Sequence, residues 1–544
     1  MRHTQVLIAG GGPVGLSLAV ELGLRGVRCI VVQQNEHSSP EPKARTVHNA
    51  TLELFRRWGR GVPSKLRAAA PLGEDFPTDI LYVTRLTGQL ITALRSALRF
   101  NTQELLSPER ALRIPQAFLE PVIRQEAESL AGVTVLLGYR LDEFEQDADG
   151  LRGHIVHLAS GRREQVSAAY LAGCDGGRST VRKQLGIQME GALDIARAIG
   201  CVFRAPELWP AISFGRAMHY NVLNDDLPHL VTMGPISLPD TWSYGIMGLR
   251  DAVTPESIDA ADLLRKLIGR DMPSEILHVG PWTVHNALAE RYRDGRVFLL
   301  GDAAHLQPPS GGFGMNGGIG DAANFGWKLA AVLQGWGGEA LLDSYDLERR
   351  QFHKRALQES AQNYEDNDLL RPGLEDPIRG EETRRELGVH IQRTKPKNFQ
   401  SLGVSLGYRY EDSPINVSDG SPPTPYETTR YLPTARPGHR APHWPLADGR
   451  ALMDEFGHGF ALLELGNSDP DVSSLRASAS QRGIPLRVLR HCEPELRELY
   501  GANLMLVRPD LHVAWRSNEP PADPVALWDT VRGVPAYRVS AGRV

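Results

Sequence analysis

The sequence predicts an α/β chain with an α+β middle section: a parallel-sheet domain, an antiparallel sheet inserted into it, and a smaller α/β domain at the C-terminal end. Three observations predict it. A strand, a glycine-rich turn, a helix and a second strand fall within about thirty residues of the start. Between 199 and 249, short runs rich in aromatic and β-branched residues alternate with turns. Beyond 412–449, a stretch dense in Pro, Ser, Gly and Thr, strand patterns return with helix patterns between them. At 544 residues the chain exceeds one ordinary core, so two or three domains are expected.

The elements follow in order. Gln5–Ala9 is a short apolar run, as in a buried parallel strand. Gly10–Gly15 is the turn, Leu16–Leu24 the first helix with Gly26 closing it, and Val27–Val32 the second strand. Phe76–Ile91 contains a β-like stretch that can join the inserted sheet. Pro115–Leu130 reads as a helix, Val133–Leu141 as a strand, and Tyr170–Cys174 as a strand ending at Asp175-Gly176. The inserted sheet is expected from Gly200–Arg204, Arg216–Leu223, His229–Ile236 and Trp242–Leu249. Val297–Leu300 is a strand ending at Gly301-Asp302, and Ile319–Leu333 a helix. In the tail, Phe460–Leu465, Leu486–Leu489, Asn503–Arg508 and Leu511–Arg516 read as strands.

Composition narrows the class. Apolar residues make up 41% and charged residues 23%, with a net charge of −5 and a pI near 6.4. That balance points away from nucleic acid and anionic membranes as partners. Cys29, Cys174, Cys201 and Cys492 form no CxxC pair, so a reducing cytoplasm is expected. The uncharged run Thr4–Val20 mimics a secretory signal, but it holds Pro13 and several glycines and is followed by Glu21.

Gly10-Gly11-Gly12-Pro13-Val14-Gly15 fits G-x-G-x-x-G between a strand and a helix. Gly10 permits the tight turn, Gly12 lets the backbone approach a pyrophosphate, and Gly15 lets helix and strand pack closely. Pro13 and Val14 open a helix whose N-terminus would face the phosphates. The second strand should end in a carboxylate for ribose hydroxyls, but Gln33 stands there. A neutral amide bond is weaker than a charged one, so cofactor affinity is in question. A second glycine-rich segment follows Gly301-Asp302: Gln307-Pro308-Pro309-Ser310-Gly311-Gly312-Phe313-Gly314-Met315-Asn316-Gly317, leading into a helix. Its backbone N–H groups suit a negative charge, and Asp302 suits a sugar-like hydroxyl.

With these residues the chain resembles the group A flavoprotein monooxygenases, the para-hydroxybenzoate hydroxylase-like family. Three fingerprints occur in order: Gly10–Gly15, Cys174-Asp175-Gly176 through Arg182, and Gly301-Asp302 through Asn316. Arg45 and Gln116 match family positions that contact the flavin and its pyrophosphate side. The segments 433–439 and 507–516 resemble the subset with a thioredoxin-like C-terminal domain, found in phenol and aromatic polyketide hydroxylases.

The resemblance implies a Rossmann-like FAD-binding domain over 1–75, 105–180 and 285–411, and an antiparallel-sheet substrate domain over 76–104 and 181–284. A linker at 412–432 and a thioredoxin-like domain at 433–544 complete it. Without a cysteine pair that last domain is left a packing or oligomer role, a homodimer being one form.

The resemblance also implies the reaction. FAD stays bound, NADPH or NADH visits, and O2 adds to the reduced ring to give a hydroperoxide that attacks an electron-rich aromatic. Asp302 would hold the ribityl or phosphate region. Gly314, Met315 and Asn316 would stabilise the anionic ring, and Asp175 would assist the cofactors. Pro308 and Pro309 would wall the reactive carbon. For substrate, alternation puts Arg216, Met218 and Tyr220 on one face and His219 and Asn221 on the other, with Met233, Trp242 and Tyr244 on neighbouring strands. A His219, Tyr220 or Tyr244 side chain could take a phenol proton, each weighed against plain core packing. Trp282 and His285 are candidates for a cavity mouth. The histidines lack metal-ligand spacing, so no metal is expected. A flavin oxidase or dehydrogenase, and a non-catalytic flavin-binding protein, remain as alternatives.

Overall fold

In the computed structural model the described residues are 1–39, 43–98, 106–249, 259–366, 369–467 and 470–534. The expected domain boundary at 104/105 lies outside them. The parallel sheet runs, in spatial order, Arg293–Asp294, Val297–Leu299, Tyr170–Gly173, Val6–Ala9, Cys29–Gln33 and Val133–Leu137. Only the first of these strands is antiparallel to its neighbour. Val6, Leu7 and Ile8 are fully buried, because helices and a second small sheet cover both faces. The first helix, Pro13–Gly23, starts directly from the glycine turn, with Pro13 at its first position, where no N–H is required.

The strand expected at Val133–Leu141 is two strands, Val133–Leu137 and Tyr139–Gln146. Gly138, at φ 75°, turns the chain from the parallel sheet into the small one. The helix expected from Ile319 begins six residues sooner, at Phe313, so Gly314, Met315 and Asn316 form its first turn.

Above the flavin-type domain lies an eight-stranded sheet, here called the roof. It includes Ile80–Val83 and Leu90–Leu94, Met189–Arg204, His219–Val222, Val231–Ser237, Thr241–Leu249 and Glu275–Ala289. It is antiparallel except where His219–Val222 runs parallel to Ile80–Val83. Glu275–Ala289 is one unbroken strand, so the roof extends past the boundary expected at 284/285.

The C-terminal part is a βαβαββα unit with a mixed four-stranded sheet. Phe460–Leu465 lies parallel to Leu486–His491 and antiparallel to Leu504–Val507, and Val513–Ser517 forms the edge. This is the thioredoxin-like arrangement. The segment expected as a linker is packed: Ile415 is buried in the core of this unit, and the Val417 N–H donates to the Ala514 carbonyl. Its Pro, Ser and Gly content gives a coil that lies against its neighbours, not a free spacer.

Candidate active site

The glycine loop is built as its composition requires. A Cβ at Gly10 would sit 2.2 Å from the Cys174 carbonyl oxygen, and one at Gly15 would sit 1.9 Å from the Gly10 oxygen. At Gly12 the nearest atom to a Cβ is Glu120 Oε1 at 4.0 Å, so this glycine leaves an open cradle at the helix N-terminus. Such a cradle, lined by unpaired first-turn N–H groups, fits a pyrophosphate. Gln116 caps one side: its Nε2 donates to Glu120 Oε1 at 2.6 Å. Gln33 lies where spacing puts it, yet its amide oxygen accepts the Gly11 N–H at 3.0 Å. The residue that should reach a ribose therefore also braces the loop.

Asp175, expected beside the cofactors, commits its carboxylate locally. Oδ1 accepts from the Ser179 hydroxyl at 2.5 Å, and Oδ2 from the Thr180 and Val181 N–H groups at 2.7 and 3.1 Å. It satisfies the first N–H groups of the short helix Thr180–Gln184, whose N-cap is Ser179.

The second loop ends at Gly312 (φ 70°), the N-cap of Phe313–Leu333. Asn316 ties this turn to the ribbon Thr46–Val47: its Nδ2 donates to the Thr46 carbonyl at 2.9 Å, and its Oδ1 accepts from the His48 N–H and the Thr51 hydroxyl, both at 2.8 Å. The Asn316 side chain is thus structural, and what it offers a flavin ring is the aim of the backbone around it. Gln307 has both amide atoms buried without a partner, and a Cβ at Gly314 would come 3.8 Å from its Nε2. Orphaned polar atoms beside a helix N-terminus fit the polar edge of a flavin. Pro308 is buried, whereas Pro309 and Asp302 are exposed.

Beneath this loop lies a hub that sequence reading missed. Asp321 Oδ2 accepts the Gly301 N–H at 3.0 Å and meets His305 Nε2 at 2.9 Å. Its Oδ1 meets Arg349 Nε at 2.7 Å and His353 Nε2 at 2.9 Å. Burial opposes the charge, but His353, Arg349 and His305 together hold the carboxyl far below its ordinary range. The His305, Asp321 and His353 ligand atoms lie within 4.8 Å of one another. A guanidinium already shares that carboxylate, so we read the cluster as an ionic brace for the Gly301-Asp302 turn. The Gly-Asp-Ala-Ala-His spacing marked the turn; nothing in sequence marked Asp321 as its partner.

The roof sorts the substrate candidates. Tyr220, Met233, Trp242 and Tyr244 belong to a core that also holds Leu264 and Leu267, on the far face of the sheet. The Tyr220 hydroxyl donates to the Gly215 carbonyl at 2.6 Å and the Tyr244 hydroxyl to Ala260 at 3.3 Å. Burial raises both phenols above their ordinary value. These four pack in that core. Met218 packs with Ile80 and Tyr82. Arg216 is exposed, its guanidinium 5.3 Å above the Trp209 ring. Trp282 is partly exposed at the sheet surface, and His285 Nδ1 accepts the Asp194 N–H at 3.0 Å.

His219 lies on the inner face. Burial, then Arg113 and Arg45, push its pKa well below 6.5, so it is neutral and stands close to both arginines of the flavin-domain ribbon. Arg45 carries a pKa lowered by burial to about 10. Cross-strand partners share a face, and the row through Asn221 runs Gly280, Gly200, Gly245, Thr232, Asn221, Tyr82. A Cβ at Gly200 would meet nothing within 4 Å, and one at Gly245 only the Ile199 oxygen at 3.8 Å. Neither glycine has a positive φ. They are small where neither backbone nor packing demands it, and they leave a trough. Thr232 donates to Asn221 Oδ1 at 2.8 Å, and Asn221 bonds the Tyr82 hydroxyl, so the trough ends in a polar cluster.

The family model described as FAD binding domain matches residues 3–360, and that described as aromatic-ring hydroxylase, C-terminal, matches 434–534. The chain is 33% identical over 562 residues to the 4-methyl-5-nitrocatechol 5-monooxygenase of a Burkholderia species, covering 97% of each protein. It is 32% identical over 555 residues to the tetracenomycin B2 monooxygenase-dioxygenase of Streptomyces olivaceus, again covering 97% of each. The solved structure of the rebeccamycin biosynthetic enzyme RebC with reduced flavin superposes with a TM-score of 0.88 at 34% identity, covering 98% of this chain and 100% of that one.

Proposed function

This chain belongs to the FAD-binding aromatic-ring hydroxylases, and from that premise we propose that it hydroxylates a flat, fused-ring phenol of polyketide type, using NADPH or NADH and O2. The observation that carries the substrate class is the glycine trough. Gly200 and Gly245, on adjacent strands about 4.8 Å apart, leave open sheet surface against which a flat ring system can lie. The Thr232–Asn221–Tyr82 cluster at one end would orient a ring hydroxyl or carbonyl. Among relatives, one is named for a nitrocatechol and another for a tetracenomycin, so single-ring and multi-ring substrates both occur in the family.

When bound, FAD supplies the activation of oxygen. The chain supplies the rest. Gly10–Gly15 would hold the phosphates and the Phe313 helix turn would offer N–H groups to the ring, while the Asp321 brace fixes the Gly301-Asp302 turn. The roof excludes water above the groove and presents the substrate edge-on to it. His219 offers a neutral nitrogen to a phenolic O–H. The test is turnover of the purified holoenzyme with each nicotinamide against single-ring phenols, naphthols and hydroxylated anthraquinones, under isotopically labelled O2. One labelled oxygen in a fused-ring product is expected. Nicotinamide oxidation that yields peroxide alone across the panel would overturn the proposal in favour of an oxidase.

A further inference from the structure

We infer that Arg113 anchors an anion site for the ionised oxygen of the substrate, at the seam between the Thr46–Val47 ribbon and the roof. The inference rests on the hydroxylase reading and adds the residue that holds the ionised oxygen.

Arg113 is 9% exposed, and none of its three guanidinium nitrogens meets an acceptor among the described residues. Other buried arginines of this chain have acceptors: Arg57 pairs with Glu21, Arg349 with Asp321, Arg440 with Glu53, and Arg508 with Glu348 and Asp510, while Arg182 donates to the Ala303 and Gly177 carbonyls. A buried cation with no counter-charge is destabilising. Here the cost is compounded, because burial and then nearby Arg45 both disfavour the Arg113 charge. A structure that retains an unmatched Arg113 close to a second guanidinium, Arg45, is arranged for an anion that arrives.

Position identifies the anion. Arg113 is the cross-strand partner of Thr46, whose carbonyl accepts from Asn316 in the first turn of the Phe313 helix. That places it at the ring end of the groove, away from the Gly10–Gly15 cradle. Across the seam stands His219 on the inner roof face. An aromatic lying in the trough would present a ring oxygen here. A guanidinium fork suits a phenolate or carboxylate oxygen. His219 is the weaker candidate for storing a proton, since two guanidinium groups oppose its charged form. When the phenol ionises, its O–H electron pair stays on oxygen beside Arg113 and the proton passes to solvent. His219 is then a positioning residue whose ring N–H donates a hydrogen bond to the ionised oxygen. An ionised ring oxygen makes the ring richer in electrons, which is the form an electrophilic oxygen attacks.

The reduced flavin also carries anionic oxygen, so the test separates the two sources. The holoenzyme is titrated with 4-nitrophenol, whose phenolate is coloured, and with 4-nitroanisole, which cannot ionise. The expected result is about tenfold tighter binding of the phenol, bound as the coloured form at pH values where the free ligand is not. Arg113→Met should erase that preference and Arg113→Lys retain part of it, with FAD affinity changed less than about twofold. Equal binding of both ligands, no binding of either, or a preference surviving in Arg113→Met overturns the inference. So does a loss of FAD affinity with the preference intact, which would assign the anion to the flavin. Because these are binding measurements, absence of a hydroxylated product would count against the hydroxylase reading alone.

Discussion

Gln33 shows how much one residue's position discloses and how much its bond conceals. Spacing alone placed it at the end of the second strand, where a carboxylate is the usual partner of ribose hydroxyls. The bond from Gly11 to its amide oxygen is a contact between two backbone segments that only the folded turn brings together. The substitution Gln33→Glu keeps that acceptor and adds a charged oxygen for the ribose. FAD should bind tighter by about 1 kcal/mol, roughly fivefold in Kd. A fluorescence titration giving equal or weaker affinity would refute the ribose contact. Arg113 is the converse case: no local pattern distinguishes it from the many solvated arginines of the chain. Its importance comes from the partners it lacks, which is a property of the fold.

At the level of elements, the glycine motifs were legible because each needs a strand before it and a helix after it. The helix start was not: Gly314 and Gly317 read as loop, since glycine disfavours helix interiors. Gly317 is required there because a Cβ would sit 2.7 Å from the His353 ring, whereas at Gly314 the nearest atom would be Gln307 Nε2 at 3.8 Å, so packing alone does not select that glycine. Alternation sorted the roof strands into two faces, but it carries no sign. Which face turns toward the groove depends on what the sheet is laid against, and so Tyr220 and Tyr244 were as plausible as His219. The trough at Gly200 was invisible for the same reason, being a register across strands distant in sequence. Gly200→Val places two methyl groups in that open space. KM for a fused-ring substrate should rise about tenfold while that for a single-ring phenol moves little. Equal effects on both, measured by steady-state kinetics, would remove the trough from the specificity argument.

Across the whole molecule, the cofactor domain and the C-terminal unit are joined by buried charge. Glu348 Oε2 accepts from Lys328, Asn324 and Arg508 at 2.6, 2.7 and 2.9 Å, and Oε1 from Arg508 and the Ser413 hydroxyl at 2.7 and 2.5 Å. Asp510 pairs with Arg508 at 2.6 Å. Burial works against the Glu348 carboxylate, but Arg508 and Lys328 outweigh it and hold its pKa at about 2, below the ordinary 4.5. A depressed acid stabilises the fold above the ordinary value and loses that contribution as pH falls toward about 2. Acid unfolding followed by circular dichroism should therefore release both domains in one transition within that window, and two separate transitions would contradict the coupling. Arg508→Met leaves two carboxylates short of a buried cation and should destabilise the protein by roughly 3–5 kcal/mol, read from denaturant midpoints.

The strands of the C-terminal unit were readable from their apolar runs, whereas its attachment was not, because Lys328 and Glu348 look like ordinary helix-surface charges. Those two residues, with side chains fully enclosed, lie in the helices that carry the second glycine loop and its Asp321 brace. The arginine that completes them is encoded 160 residues later than Glu348. During synthesis the flavin-type domain therefore leaves the ribosome with an unfinished interior. It waits, with a lysine and a glutamate facing an unfilled side, until residue 508 has been translated.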